Sequence, residues 1–367
     1  MFFVYQCTPS RSAWRPTLVF MTLALTSFAT QAQTPIDLKE CLGMSEDGAR
    51  LTCYDRQAGR KAMMTLPASP SVTPGTPEAM PVTSAATPAT QQQSDSFLSR
   101  YWELNSADKR GTFNYTAYRP NFFLPVREMK SVNHHPSSPT RGTATNLPKY
   151  QNGETKLQVS MRSKILENAL LPGADLWVAY TQQSTWQLWN HAASAPFRDT
   201  NFQPELIYVM PTPAAWQSLP LGWKWRMSQA GLVHQSNGQP DVLSRSWNRV
   251  YGLLGLENGN VTASIRLENR LEKSSNQSDD NPDIIHYLGR YETQLTWSPG
   301  RSTAALLWRP SLSGRGSVQL DWTYPVFNDR PDGLRWYTQA FHGYGETLLD
   351  YNFKQTSLGV GLTIFKF

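Results

Sequence analysis

In GSVQLDWTYPV (residues 316–326), apolar and polar side chains alternate from Val318 to Tyr324. Successive side chains of a β-strand point to opposite faces, so one face of this strand is apolar and the other is polar. The apolar face carries Val318, Leu320, Trp322 and Tyr324. Such a strand lies between a hydrophobic and an aqueous environment.

The same period of two recurs along the chain, in LIYVM (206–210), TASIRLE (262–268), YETQLTW (291–297) and TSLGVGLTIFKF (356–367). Turn-forming residues separate these runs at 257–260, 298–300, 313–316 and 330–333. The pattern predicts an all-β fold of antiparallel strands joined by tight turns.

The composition favours a transmembrane β-barrel. Mean hydropathy is −0.47 and no block after the N-terminus is apolar enough to span a membrane as a helix, yet aromatic residues make up 12% of the chain. Aromatic girdles at both membrane interfaces are typical of outer-membrane barrels, and so is a terminal aromatic such as Phe367. Phe367 falls on the polar face of its strand, which requires a bulge near residues 364–366. The alternative is a soluble β-sandwich.

The N-terminus predicts export. Arg11 and Arg15 precede a short apolar run at 16–30 and small residues ending at Ala32, so residues 1–32 are expected to be a signal peptide. The formal net charge is only +6 and is scattered, which gives no reason to expect nucleic-acid binding.

Two segments follow the signal peptide. Residues 33–63 form a small leader, expected in the periplasm, in which Cys41 and Cys53 are expected to form a disulfide. Residues 64–97 are rich in Pro, Thr, Ser and Ala and predict a flexible linker. The barrel domain is expected at 98–367.

The candidate chemistry lies in HQSNGQPDVLSRSWN, residues 234–248. His234 and Ser236 are two apart, so their side chains share one face of a strand, as a base and a nucleophile of acyl transfer would. Asn248 is far enough along to return on the next strand, where its oxygen can orient the imidazole. Arg245 and Arg249 flank the site, where they either contact lipid phosphate or lipopolysaccharide or form ion pairs.

From about Phe97 onward the chain closely resembles outer membrane phospholipase A, a calcium-dependent phospholipase family of Gram-negative outer membranes. Besides the site itself, the resemblance rests on LSRYWELNSADKRGTFNYTAYRPNFFLP (98–125), SAPFRDTNFQPE (194–205), DDNPDI (279–284) and GYGETLLDYNFKQTSLGVG (343–361). It implies a twelve-stranded antiparallel barrel that hydrolyses phospholipids and lysophospholipids and is active as a homodimer bridged by calcium.

The resemblance also assigns roles to residues. Ser236 matches the nucleophile, His234 the base and Asn248 the residue that orients the base, while the N–H of Gly238 matches an oxyanion-hole donor. The remaining matches concern calcium and the dimer: Ser244 and the carbonyl of Gln239 as ligands, Ser194 as a ligand from the second subunit, Asp241 and Asp280 as ligands in the unpaired form, and Gln182 at the dimer interface.

The sequence departs from the family pattern at one position of the site, and two other functions remain possible. Position 239 is often Arg in the family and is Gln here, and Pro240 restricts the backbone that aims the Gln239 carbonyl. A lipid A deacylase also carries an H-x-S-N block, although the third residue of its catalytic triad, the counterpart of Asn248, is typically Glu. A passive porin would share the strand pattern but has no use for the site motif.

Overall fold

The computed structural model describes Cys41 and residues 46–57, 96–271 and 279–364. The expected signal peptide and most of the expected linker lie outside the described residues. The chain divides into two units, residues 1–84 and 85–367. In the first unit, helix α1 (Asp47–Gln57) carries Cys53, which is disulfide-bonded to Cys41 as expected.

The second unit is a β-barrel with short helices. Its strands are β1 (Tyr115–Ala117), β2 (Phe122–Met129), β3 (Ser137–Ser138), β4 (Gly142–Thr143), β5 (Gly153–Leu166), β6 (Asp175–Trp186), β7 (Phe197–Pro211), β8 (Lys224–Ser236), β9 (Ser246–Asn258), β10 (Val261–Leu271), β11 (Tyr291–Trp297), β12 (Thr303–Pro310), β13 (Gly316–Pro325), β14 (Arg335–Gly343) and β15 (Gln355–Thr363). Its helices are α2 (Phe97–Trp102) and α3 (Ile284–Leu288).

Twelve antiparallel strands, β2 and β5 to β15, close into the barrel, as the family resemblance implies. Each strand pairs with the next one along the barrel, and the last strand, β15, pairs with the first, β2. Closure leaves no sheet edge exposed, which a membrane requires because lipid offers no partners for backbone N–H and C=O groups.

The first barrel strand is interrupted. Strand β1 pairs with β5 at 161–163 and β2 pairs with β5 from 158 toward 153, so both run along the same neighbour. Pro120, between them, has no N–H to donate to a ladder. At the break Tyr118 and Arg119 contact the carboxylate of Glu205, at 3.2 and 2.8 Å.

The two faces of the barrel differ as the alternation predicts. In β13 Leu320 and Trp322 are exposed while Asp321 and Thr323 are buried, and in β15 Leu358 and Val360 are exposed. The apolar side chains therefore face lipid and the polar side chains face the lumen. No helix in the described part of the chain is long and apolar enough to span a membrane.

The two ends of the barrel carry different connections. Short turns join strands at one end, for example between β9 and β10, and longer connections such as 130–152, 187–196 and 344–354 lie at the other. Outer-membrane barrels place short turns in the periplasm and long loops outside the cell. The connection between β8 and β9 therefore lies at the extracellular end.

Helix α2 lies inside the lumen at the periplasmic end. Leu98 and Trp102 form a buried cluster with inward-facing residues of β6, β7 and β8, among them Trp177 and Val209. Arg162 lies over the rings of Tyr101, Trp102 and Trp177 at 3.8, 4.0 and 4.9 Å. The N-terminus of α2 is also fixed, because Ser96 caps the helix and hydrogen-bonds to Glu257.

Ion pairs fill much of the remaining lumen. Arg127 contacts Glu154 at 2.8 Å and Glu346 at 2.6 Å. On the other wall Arg249 and Arg266 share Glu268, at 3.0 and 2.7 Å. Buried charges are retained at low cost only when they are paired in this way.

The boundary of the barrel unit can be tested with two deletions, of residues 33–95 and of residues 33–104. We expect the shorter deletion to leave heat-modifiable migration unchanged, because the described contacts of the barrel unit begin at Ser96. The longer deletion removes Leu98, Trp102 and Leu104 from the buried cluster, and losing one such side chain typically costs about 2–5 kcal/mol. Its unfolding temperature should therefore fall clearly. Equal stability of the two deletions would show that α2 does not support the barrel.

Candidate active site

Strands β8 and β9 bring the three residues of the motif together. In the register of this pair His234 lies directly opposite Asn248, and Ser236 lies opposite Ser246. His234 and Ser236 are near the extracellular end of β8, and Asn248 is near the start of β9. The sequence spacing thus returns Asn248 to the level of His234, as expected.

The hydrogen bond between His234 and Asn248 is formed. The imidazole Nδ1 and the amide Oδ1 are 2.7 Å apart, so a proton on Nδ1 leaves Nε2 as the free base. In the described part of the chain no hydrogen bond joins Ser236 to His234, although both lie on the same face of β8. Catalytic hydrogen bonds are often long before substrate binds.

The three side chains face lipid. His234 is exposed and Ser236 and Asn248 are half-buried, whereas their neighbours Val233 and Trp247 point inward and are buried. On the outer face the strands place apolar residues next to the motif. These residues are Leu206, Leu232, Val250 and Leu271. An ester bond within the membrane can therefore reach the site, whereas one in the lumen cannot.

Gly238 lies just beyond Ser236 with a φ of +62°. A side chain in this left-handed conformation is strained, and a Cβ here would also lie 3.2 Å from the ring of Phe202. Among the described residues no acceptor takes the N–H of Gly238. That N–H is thus available to a ligand beside Ser236.

The loop 237–245 is held by Asn237, which the sequence reasoning did not single out. Its buried amide accepts from the N–H groups of Arg245 and Gln239, at 2.9 and 3.3 Å, and donates to the Leu243 carbonyl at 2.9 Å. It also donates to Asp199 of β7 at 3.3 Å. One side chain therefore fixes both arms of the loop. Its place directly after Ser236 is the only hint of this in the sequence.

Asp199 ties this loop to the long connection 344–354. Its second oxygen accepts from Asn201 at 2.7 Å and from the N–H of Leu349 at 3.1 Å. The connection is also anchored by Glu346: burial raises the pKa of this carboxyl, but Arg127 and Lys156 lower it, to about 2. Glu346 is therefore ionised at neutral pH and holds the connection inside the extracellular end of the barrel.

The carboxylate of Asp280 accepts hydrogen bonds from two serine hydroxyls beside the site. One of its carboxylate oxygens accepts from Ser246 at 2.6 Å and from Ser244 at 3.2 Å. The other contacts Arg141 at 2.5 Å. These oxygens suit calcium, a hard cation that takes carboxylate, hydroxyl and carbonyl ligands. The described residues contain no cluster of three or more His, Cys, Asp or Glu side chains, so hydroxyl and carbonyl ligands would be needed as well.

The other expected calcium ligands lie on the same rim. Asp241 is exposed, with a φ of +50°, and its carboxylate forms no hydrogen bond or ion pair with the described residues. Gln239 is half-buried, and its N–H bonds to Asn237. Ser194 is exposed in the connection between β6 and β7, too distant in the sequence to be placed here without the structure. The structure thus joins Asp280 to Ser244 but does not join Asp241 to either.

Gln182 faces lipid on β6 at the level of the site. The register places Gln182 opposite Phe202 on β7, and Phe202 opposite Ser236 on β8. The amide oxygen of Gln182 accepts from the hydroxyl of Tyr180 at 3.1 Å. A half-buried amide on the outer wall is therefore two strands from Ser236, on the side of β6 and β7.

Arg245 and Arg249 do not face lipid. The alternative that they contact lipid phosphate or lipopolysaccharide is therefore wrong. Arg249 is buried in the lumen, paired with Glu268 and donating to Gln235 at 3.0 Å. Arg245 is also buried, and burial lowers its pKa. It donates to the carbonyls of Val242 and Ser244, at 2.9 and 2.7 Å, and so supports the loop 237–245.

The chain is similar in sequence to a known protein family and to several of its members. Residues 98–364 match the phospholipase A1 family. A relative from Neisseria meningitidis serogroup B is 36% identical over 348 residues, which cover 88% of this chain and 89% of that one. The phospholipase A1 of Escherichia coli K12 is 37% identical over 212 residues, which cover 58% of this chain and 69% of the relative.

Solved structures share its fold. Outer membrane phospholipase A of Escherichia coli superposes with a TM-score of 0.59 at 30% identity, covering 70% of this chain and 93% of that one. A Salmonella typhi outer membrane phospholipase dimer with bound calcium gives the same TM-score of 0.59 and identity of 30%. The chain is a β-barrel of the Gram-negative outer membrane. It belongs to the phospholipase A1 family.

The role of Asn237 can be tested with Asn237→Ala. We expect the loop 237–245 to become sensitive to protease and ester hydrolysis to fall, because a buried group left without its partner costs about 1–3 kcal/mol. Asn258→Ala is a matched control, since Asn258 bonds to the Leu221 carbonyl at 3.1 Å at the other end of the barrel. Unchanged cleavage and activity in Asn237→Ala would show that the loop is held by other contacts.

Proposed function

We propose that the protein is a calcium-dependent phospholipase that hydrolyses acyl esters of phospholipids and lysophospholipids in the outer membrane. Ser236 is the nucleophile, His234 the base and Asn248 the residue that orients the base. The observation that carries the proposal is the 2.7 Å bond from His234 to Asn248, made on the lipid-facing wall beside Ser236. Membership of the phospholipase A1 family supports the reaction.

The chemistry follows from these positions. The oxygen of Ser236 attacks the ester carbonyl carbon as Nε2 of His234 accepts its proton. Collapse of the tetrahedral intermediate expels the alcohol, which takes that proton, and leaves the acyl group on Ser236. Water, deprotonated by His234, then releases the fatty acid. Asn248 fixes the tautomer but stabilises the imidazolium less than a carboxylate would.

The oxyanion of the intermediate needs donors. The N–H of Gly238 has no acceptor in the described ranges and lies two residues after Ser236, so it is the protein's donor. A calcium ion, when bound, adds positive charge near the oxyanion. Ser244 and the Gln239 carbonyl would hold it, with Ser194 from a second subunit, while Asp241 and Asp280 would serve the unpaired chain.

The exposed site supports a homodimer. A groove for acyl chains needs two walls, and one barrel supplies only one, because His234 is on its outer surface. Pairing through the β6 side would place Gln182 at the interface, where a buried amide can hydrogen-bond across the pair. Two-fold symmetry then gives two equivalent sites, each using both chains.

A passive porin is disfavoured by the lumen. Helix α2 packs inside one end of the lumen, and ion pairs such as Arg127 with Glu154 occupy much of the remainder. A lipid A deacylase would need the same nucleophile, so the choice of substrate separates it from a phospholipase. Offering purified protein both phospholipid and lipid A, with calcium or with chelator, distinguishes the three functions.

Alanine substitutions test the triad. We expect Ser236→Ala and His234→Ala each to lower phospholipid hydrolysis by on the order of 10⁴-fold or more, because the two act as a unit. Asn248→Ala should cost roughly 10²-fold, because it only misaligns the base. Fatty-acid release in detergent micelles measures this. Ser228→Ala, on the same face of β8, is the control and should be fully active. More than a few per cent of activity in Ser236→Ala would rule out Ser236 as nucleophile.

Calcium should promote pairing and activity together. In a calcium titration we expect chemical cross-linking and hydrolysis to rise in parallel, and both to disappear with chelator. Ser244→Ala should shift both curves to higher calcium concentration, since it removes one ligand. Sedimentation in the assay detergent gives the oligomeric state independently of activity. A monomer that is fully active at saturating calcium would contradict the dimer proposal.

A further inference from the structure

One arginine near the site does face the outside of the barrel. Arg290 directly precedes β11 and is exposed. Its guanidinium donates to the side-chain oxygen of Asn269, which is exposed on the outer face of β10. The pair therefore lies on the lipid-facing wall, near the extracellular rim.

Arg290 differs from the lumenal arginines in its partner. Arg249, Arg266 and Arg309 each contact a glutamate within 3.0 Å. Among the described residues Arg290 has the neutral Asn269 as its only side-chain partner and no carboxylate. An arginine on a barrel's lipid face is costly at the membrane centre and nearly neutral at the interface. Arg290 thus offers a guanidinium that no carboxylate of the described residues neutralises.

The strand registers place this charge beside the motif. One row across the outer face holds His234, Asn248 and Leu271, and the next row down holds Leu232, Val250 and Asn269. Asn269 is therefore about 10 Å from His234 across the strands and about 7 Å along them. The long side chain of Arg290 can span part of that distance, since its guanidinium already reaches β10.

Arg290 also lines a groove of about 630 Å³ on this wall. Tyr291, Leu312 and Pro310 supply apolar surface, and Ser311 and His286 also line the groove. No carboxylate of the described residues lines the groove. The second arginine there, Arg270, is already paired with Asp279. The groove combines an apolar wall with a single available guanidinium, which suits an anionic amphiphile.

From these observations we propose that Arg290, positioned by Asn269, binds the phosphate of the phospholipid whose ester lies at Ser236. This rests on the function proposed above and adds a headgroup subsite to it. A guanidinium can bind two phosphate oxygens at once, which fixes the headgroup. The phosphate and the esters of a glycerophospholipid are joined by the glycerol backbone, so the headgroup at Arg290 orients the ester toward His234.

The test compares two substrates with the same acyl chain in neutral detergent, a lysophosphatidylglycerol and a monoacylglycerol that lacks phosphate. We expect Arg290→Gln to raise KM for the phospholipid about tenfold with kcat nearly unchanged, the loss expected for one charged hydrogen-bonded contact. Hydrolysis of the monoacylglycerol should not change. Arg290→Lys should recover part of the loss, since it keeps the charge without the planar fork.

Arg301→Gln is a matched control. Arg301 is exposed and donates to the side-chain oxygen of Asn328 at 2.9 Å, in a similar pair at the periplasmic end. It should leave both substrates unaffected. Equal losses on both substrates in Arg290→Gln, or no loss on either, would overturn the subsite.

A measurement of lipid binding tests the headgroup subsite independently of catalysis. In the Ser236→Ala background, native mass spectrometry of detergent-solubilised protein should show less retained phosphatidylglycerol when Arg290 becomes Gln, with retained diacylglycerol unchanged. Lipopolysaccharide in place of phosphatidylglycerol tests the other phosphate-bearing lipid of this membrane. A loss confined to lipopolysaccharide would overturn the substrate subsite. A wild type that binds phospholipid at Arg290 but hydrolyses nothing would refute the proposed function and leave the subsite standing.

Discussion

Pairing of the first barrel strand, β2, with the last, β15, is the constraint on which the structure depends. A strand edge facing lipid would leave a row of backbone N–H and C=O groups without partners, at several kcal/mol each. Closure removes both edges at once, and it separates every strand into a face toward lipid and a face toward the lumen. The arrangement of charges, of apolar residues and of the site follows from that separation.

Strands β8 and β9 use both faces at the same level. On the outside His234 bonds to Asn248. On the inside, one residue along, the Gln235 oxygen accepts from Trp247 at 2.9 Å and from Arg249 at 3.0 Å. The inner contacts tie the two strands together where the outer pair must keep its geometry. A site on the wall of a barrel is therefore held by polar contacts in the lumen rather than by a core of its own.

The sequence predicted what depends on local pattern and missed what depends on long-range contact. The period of two located β13 and β15, and the turn residues at 257–260 and 298–300 located the connections from β9 to β10 and from β11 to β12, because both properties follow from neighbours in the chain. Helix α2 was not predicted, since Phe97 falls at the edge of a Pro- and Ser-rich stretch and packs against strands far along the chain. Asn237 was missed because only the folded loop shows that its amide is buried. The inward direction of Arg249 was available from the sequence, because Arg249 follows Asn248 and successive side chains of a strand point to opposite faces.

The outer wall around the site is asymmetric, and under the proposed function its two sides have different roles. Toward β6 and β7 the outer wall offers Phe202 and Gln182, an aromatic and an amide that could meet a second barrel. Toward β10 and β11 it offers Asn269 and Arg290, which could meet a phosphate. A phospholipid lying across β8 and β9 would then have its acyl chain between two barrels and its headgroup on one. In that arrangement dimerisation completes the acyl groove without covering the headgroup side, so substrate can still enter from the membrane after the dimer has formed.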